Sequence, residues 1–383
     1  LADNTKDSQS NIPDKTTWSE APFLIIKGFL MGSADIIPGV SGGTLALITG
    51  IYDRLIDAIK SVDFHSIKSL LQLKFRVLFQ SVHWKFILLL FTGIALAIFF
   101  FTRVVPLQNY MFSHPEIVYG LFFGLILGSV FLLIDEIEPS KRGWTNTFPL
   151  LAGALFGFWI VTLVPADTPE TFWFVLLSGS VAICAMILPG ISGSYILLIF
   201  RKYDYILFQL GELGTIDTAR ALMNLLPFVI GAIAGLVLFS RVLSWLLHRY
   251  HAVTLLVLIG FLVGSLYVIW PYQEREFHES IRSVQVLPVS DPLVQELIER
   301  DEIPDKPEYR RIGEEISPDA SFDEFKRVEV ETVSRKLISS RPLLPWKAEE
   351  SIREEISVWQ GIAGIAGGLF MITGISYLRK QTE

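Results

Sequence analysis

Long stretches of uncharged apolar residues, at roughly 86–102, 117–134, 148–165, 221–240, 252–271 and 358–378, constrain this chain more than any other feature. Each is close to the ~20 residues that carry an α-helix across a bilayer. A helix that is apolar on every side has nowhere dry to pack in a water-soluble domain. The chain therefore reads as an all-α polytopic membrane protein. Its net charge of −7 comes largely from the polar segments and implies no nucleic-acid partner. The lone cysteine, Cys184, lies inside an apolar run and excludes an intrachain disulfide. Leu1–Glu20 is polar, lacks the pattern of a cleavable signal peptide, and reads as a disordered tail. Neither a metal nor a cofactor is implied.

An internal repeat organises the runs. Pro38-Gly39-Val40-Ser41-Gly42-Gly43 recurs as Pro189-Gly190-Ile191-Ser192-Gly193-Ser194, with Tyr52-Asp53 falling on Tyr203-Asp204. Further on, Gly93 and Arg103 fall on Gly231 and Arg241, Gly120 and Gly124 on Gly260 and Gly264, and Gly153 and Gly157 on Gly364 and Gly368. Repeat 1 spans 21–166, with a hairpin over 21–60 and spans near 84–105, 115–135 and 147–165. Repeat 2 covers 167–272 and 355–380, with a hairpin over 170–210 and spans near 221–247, 252–271 and 357–378. Each half is one broken, re-entrant helical hairpin plus three transmembrane helices. An odd number of crossings per half makes the second half enter from the opposite side, giving two inverted repeats, an arrangement common in secondary transporters.

Lys60, Lys68, Lys74, Arg76 and Lys85 in the connector 60–85, Lys141 and Arg142 in the loop 135–147, and Arg379-Lys380 at the end put these segments and both termini in the cytoplasm. The loops 104–116 and 165–171 carry no Lys or Arg, as expected outside, whereas Arg201 and Lys202 sit on the wrong side for this scheme. The polar, charged insert 273–350 is expected to be an extracytoplasmic accessory subdomain, with short surface helices at Asp291–Arg300 and Ser321–Leu337. Tyr52-Asp53, Tyr203-Asp204 and Trp84, Trp144, Trp173 and Trp270 read as interfacial anchors.

The apolar segment Phe23–Ile37 would be ~22 Å long as helix, too short to span hydrocarbon, and Pro38-Gly39 ends it; Pro189-Gly190 ends its counterpart. A second helix is expected to start at Thr44 or Tyr195. Irregular backbone at this depth must be buried in protein or line a wet cavity. The Ser-Gly stretches then become N-caps of half-helices ending inside the membrane, where free N–H groups and the positive end of the helix dipole favour an anion. Phosphate oxygens are expected at Ser41, Gly42, Gly43 and Thr44 and at Ser192, Gly193 and Ser194, with Arg103 and Arg241 supplying planar forks. The bland alternatives are tight turns that let helices pack closely and arginines that snorkel to the interface. Asp35, whose counterpart is Met186, either caps its own turn or couples transport to a proton or sodium ion.

The paired stretches Gly32-Ser33-Ala34-Asp35-Ile36-Ile37-Pro38-Gly39-Val40-Ser41-Gly42-Gly43-Thr44 and Leu188-Pro189-Gly190-Ile191-Ser192-Gly193-Ser194 resemble the bacterial polyprenyl-phosphate transporter family (PopT). The resemblance covers about 21–271 and 355–380 and leaves out the insert. It implies a flippase that returns undecaprenyl phosphate, the lipid carrier of cell-wall synthesis, across the bacterial cytoplasmic membrane, with the lipid phosphate and membrane lipids as partners. A homo-oligomer is compatible with it. The rival readings are an integral-membrane prenyl-pyrophosphate phosphatase, which would need acidic residues or a base beside the turns, and a small-anion carrier using the same site.

Overall fold

The computed structural model describes residues 16–37, 40–62, 81–105, 107–137, 144–300, 308–316, 327–347 and 356–380, with single residues at 66, 69, 72, 74, 76 and 306. The N-terminal tail to residue 15, Pro38-Gly39 and most of the connector 60–85 lie outside them. The chain divides into two compact units, one formed by residues 1–105, 121–269 and 365–383 and the other by residues 106–120 and 270–364.

The first unit is helical. Its hairpin helices are α1 (Ala21–Asp35), α2 (Gly42–Ile48) and α3 (Tyr52–Ser61), followed by α4 (Trp84–Phe99), which closes with a π turn over Phe100–Val104. A short helix α5 (Leu107–Ser113) and the start of α6 (Pro115–Glu136) belong to the second unit; the rest of α6 and α7 (Trp144–Val161) belong to the first. The second series is α8 (Phe172–Ile187), α9 (Gly193–Ile199), α10 (Tyr203–Gly211), α11 (Thr218–Arg249) and α12 (His251–Ser265). The last helix, α14 (Val358–Lys380), follows the second unit. Among the described residues, Trp84–Val104, Pro115–Asp135, Thr218–Arg249 and Val358–Ser376 are long and apolar enough to cross a membrane, while α7, α8 and α12 are shorter apolar helices. The second helix of each hairpin starts at Gly42 and Gly193, earlier than Thr44 and Tyr195, because the Ser-Gly backbone already turns helical. Large apolar side chains face outward, with Phe91 61%, Phe131 67% and Leu155 70% exposed. Such an apolar exterior suits lipid and not water, so this is a membrane protein.

Helices without a water-driven reason to associate pack through small residues that let backbones touch. On α1 and α4, a Cβ at Gly28 would collide with the Leu90 carbonyl and one at Gly93 with the Ile25 carbonyl. On α8 and α11, Gly179 meets the Phe228 carbonyl and Gly231 the Leu176 carbonyl. These are the same contacts in the register of the sequence repeat. The crossing of α6 with α14, where Gly124 meets Ile365 and Gly368 meets Leu121, recurs between α12 and α7, where Gly264 meets Ala154 and Gly157 meets Phe261.

The second unit corrects the all-α expectation. Residues 273–288 (β1), 308–316 (β2) and 327–342 (β3) form an antiparallel sheet in the order β1-β3-β2. The pairing of β1 with β3 runs from Gln273 opposite Pro342 to Pro288 opposite Arg327. The expected helix at Ser321–Leu337 is absent over its described part, which belongs to β3. Alternation of Val328 and Val330 with Glu329 and Glu331 is a strand pattern, and the β-branched valines favour the pleated surface. The other expected helix does form, as α13 (Pro292–Glu299), N-capped by Asp291, whose Oδ1 accepts from the Leu293 N–H at 2.9 Å. It covers one face of the sheet, burying Val294, Val328 and Val330 among Leu287, Leu297 and Ile312. Elsewhere on the sheet Glu279 accepts from the Tyr309 hydroxyl at 2.9 Å, from Arg335 Nε at 3.0 Å and from Arg311 Nη1 at 3.1 Å.

Two outcomes test this packing. Gly231→Ala and Gly93→Ala should each cost about 1–3 kcal/mol from overpacking. By contrast Gly374→Ala, whose Cβ would meet nothing within 4 Å, should not destabilise; thermal unfolding in detergent distinguishes them. In the sheet, hydrogen bonds from Tyr309 and Arg335 hold the Glu279 carboxyl below the usual carboxylate range. A depressed folded-state value contributes stability above about pH 4.3, lost as pH falls through the folded value. Glu279→Gln should therefore flatten the acid limb of sheet stability, read by hydrogen exchange of the β3 amides; an unchanged limb would contradict the assignment.

Candidate functional site

In the first hairpin, chain geometry consumes the donors of the turn. Ser41 is extended (φ −120, ψ 135) and N-caps α2, its Oγ accepting from the Gly43 N–H at 3.2 Å. The Thr44 N–H goes to the Ser41 carbonyl at 2.9 Å. Asp35 takes the remaining donor, its Oδ1 accepting from the Gly42 N–H at 2.6 Å. A Cβ on Gly42 would lie 2.5 Å from Asp35 Oδ2, so a side chain there would displace the carboxylate. Asp35 thus caps its own turn, at the positive end of α2. Every residue of α2 is buried.

The second hairpin has the same trace and different bonding. Gly190 adopts φ +81, a conformation glycine takes without penalty. Ser192 occupies the N-cap position of α9 without capping it; its Oγ lies 2.8 Å from Ser194 Oγ. Among the described residues, the N–H groups of Gly193, Ser194 and Tyr195 have no acceptor in the chain. Ser194 is exposed and Ser192 half-buried, whereas Ser41 and Thr44 are buried. Among the described residues, the open donor set therefore sits at the second turn.

The two turns meet directly. Ser41 Oγ donates to the Met186 carbonyl at 3.2 Å, and the Gly190 N–H donates to Thr44 Oγ1 at 2.8 Å. A Cβ on Gly43 would lie 2.6 Å from the Ile187 carbonyl oxygen, so glycine permits the contact. Tyr52, expected as an interfacial anchor, is instead 2% exposed and donates its hydroxyl to the Ile187 carbonyl at 3.2 Å. The repeat register offered no warning of this, since its counterpart Tyr203 is only half-buried.

The far ends of α2 and α9 close identically, with paired reverse bonds around one left-handed residue. Ile51 N–H bonds Ala46 and Gly50 N–H bonds Leu47; Lys202 N–H bonds Leu197 and Arg201 N–H bonds Leu198. Gly50 (φ 73) supplies the left-handed position in the first hairpin, and Arg201 (φ 48) in the second. Arg201 pairs with Asp167 at 2.9 Å, and the buried Lys202 donates to the Thr168 carbonyl at 2.9 Å. These cations, anomalous for the loop-charge pattern, are thus committed to local structure.

The arginines are not brought to the turns. Arg103 is exposed in the π turn that ends α4. Arg241 is exposed on α11, its Nη1 donating to the Val237 carbonyl one turn back at 3.1 Å. Among the described residues, no group of three or more His, Cys, Asp or Glu could hold a metal ion.

Replacing Thr44 tests the junction. Thr44→Val keeps shape but leaves the buried Gly190 N–H without its acceptor, a loss of about 1–3 kcal/mol. Thr44→Ser should retain most of the stability. Equal stability of the two variants in denaturant unfolding would contradict the bond.

The profile of the VCA0040-like, undecaprenyl phosphate translocase-like family matches residues 31–285. A polyprenyl-phosphate transporter of Vibrio cholerae serotype O1 is 41% identical over 249 residues, which cover 65% of this chain and 77% of that protein. One of Staphylococcus aureus is 32% identical over 261 residues, covering 64% and 85% respectively. No solved structure matches the chain. With two thirds of its length matched, including both Ser-Gly turns, this chain belongs to the undecaprenyl phosphate translocase-like family.

Proposed function

We propose that the protein is a flippase for polyprenyl phosphate, undecaprenyl phosphate in particular, that recycles the carrier lipid across the bacterial cytoplasmic membrane. Its family membership and the names of its relatives support the substrate. The observation that carries the mechanism is the bonded junction of the two Ser-Gly turns, with unused N–H donors, among the described residues, at the second. Recurrence of the glycine crossings in matched register supports two inverted repeats, each a re-entrant hairpin plus three spans, able to rock about that junction. Both termini then face the cytoplasm and the insert lies outside.

The lipid phosphate first accepts hydrogen bonds from Gly193 and Ser194 N–H and from the Ser192 and Ser194 hydroxyls, while the prenyl tail stays in lipid. At the other turn Asp35 already acts as an internal anion on Gly42. Protonation, or capture of the carboxylate by sodium, releases that donor, so Ser41–Thr44 can take part only when Asp35 is neutralised. Ion coupling then follows from competition of two anions for one helix end. Arg103, exposed in the turn that ends α4, and Arg241, exposed on α11, attract the headgroup on its approach, one on each side.

In proteoliposomes, Ser192→Ala with Ser194→Ala should slow translocation of polyprenyl phosphate at least tenfold; an unaltered rate would rule out the turn as the phosphate site. Asp35→Asn keeps an acceptor for Gly42 N–H and so should preserve the fold while abolishing the response to an imposed ion gradient. A persisting response would assign coupling elsewhere. Release of inorganic phosphate from prenyl pyrophosphate by the purified chain would favour the phosphatase reading instead.

A further inference from the structure

Arg275 lies near the start of β1, in the second unit. Strand alternation puts Gln273, Arg275 and Phe277 on one face and the exposed Glu274 and Glu276 on the other. The first face meets the helical segment 106–120: Phe277 packs on Phe112 with ring centroids 5.2 Å apart, and the Arg275 guanidinium sits over the Tyr119 ring at 4.9 Å. Glu116, buried one turn before Tyr119, is the carboxylate whose charge Arg275 feels. Among the described residues, Arg275 Nε and Nη2 are buried without any hydrogen-bond partner.

That pair of atoms is informative. Nε and Nη2 form one edge of the guanidinium, the edge that presents two parallel N–H bonds to two oxygens of one anion. Stacking on Tyr119 engages the face of the cation and leaves its in-plane donors unused. Glu116 offsets charge without satisfying that edge. Leaving such donors buried and unpaired costs far more than pairing them, so the arrangement is explained by an oxyanion that the edge receives.

We propose that Arg275, stacked on Tyr119, is a second phosphate-binding site of this protein, taking a phosphate group through its unpaired Nε–Nη2 edge. Its use as a receiving site for the lipid headgroup rests on the transport reading above; the binding itself does not. Arg275 is a binding residue here, and Tyr119 orients it.

The experiment uses the full chain in nanodiscs with Ser192→Ala and Ser194→Ala, which silence the first site, and measures binding of inorganic phosphate and, separately, retention of polyprenyl phosphate. Arg275→Lys keeps the charge and removes the edge, and it should weaken phosphate binding at least tenfold. Arg275→Gln should do the same, which guards against a variant that fails to fold. A loss confined to the lipid identifies the headgroup as the ligand, and a loss that includes inorganic phosphate identifies the free ion as one too. Native-like binding of both by the folded lysine or glutamine variant would overturn the proposal. If native protein moves no lipid yet Arg275→Lys loses phosphate, the transport reading fails and this site stands. If transport proceeds and the variants bind normally, the site fails alone.

Discussion

The bond from Gly190 N–H to Thr44 Oγ1 joins the two Ser-Gly turns, and the packing around them depends on what it solves. A break in a helix leaves backbone groups without partners inside the helix. This fold meets part of that requirement by making the turns bond each other. Ser41 and Tyr52 donate to carbonyls at the end of α8, and Thr44 accepts from the turn that follows it. Asp35 and Ser41 then close the first turn from within, whereas the second retains donors. One hairpin is thereby structural at its turn and the other chemically open.

Close approach of the surrounding helices makes that junction reachable. Gly28 against Gly93, and Gly179 against Gly231, bring the first arm of each hairpin onto the following span with backbone touching backbone. Where side chains intervened, the arms would stand further from the spans, and the turns could not be held together by single hydrogen bonds. The same economy governs the left-handed ends of α2 and α9. There Arg201 adopts a conformation that the first hairpin assigns to Gly50, at a cost of order 1–3 kcal/mol that its exposed pairing with Asp167 is too weak to offset in full.

Much of this was legible in the sequence because proline and glycine punctuate a membrane helix unambiguously. The breaks after α1 and α8, the helical starts near Ser41 and Ser192, and the glycine matches that became crossings all follow from local chemistry. What failed depended on partners distant in sequence. The role of Tyr52 is set by Ile187, whereas capping of its own turn by Asp35 is one of the two readings its position already offers. Arg103 and Arg241 share repeat positions, and both are exposed. In the insert, charged residues obscured the alternation of Val328 and Val330, so a strand was read as a helix. The orphaned edge of Arg275 had no sequence signal, because it depends on which acceptors are missing.

Phosphate binding at the open second turn can be tested in a chain carrying Ser194→Cys with Cys184→Ser, by following modification of the new thiol with a membrane-impermeant reagent. Ser194 is exposed, so the thiol should react, and polyprenyl phosphate should slow the reaction whereas the uncharged polyprenol should not. Equal labelling rates with and without the phosphate lipid would contradict the account.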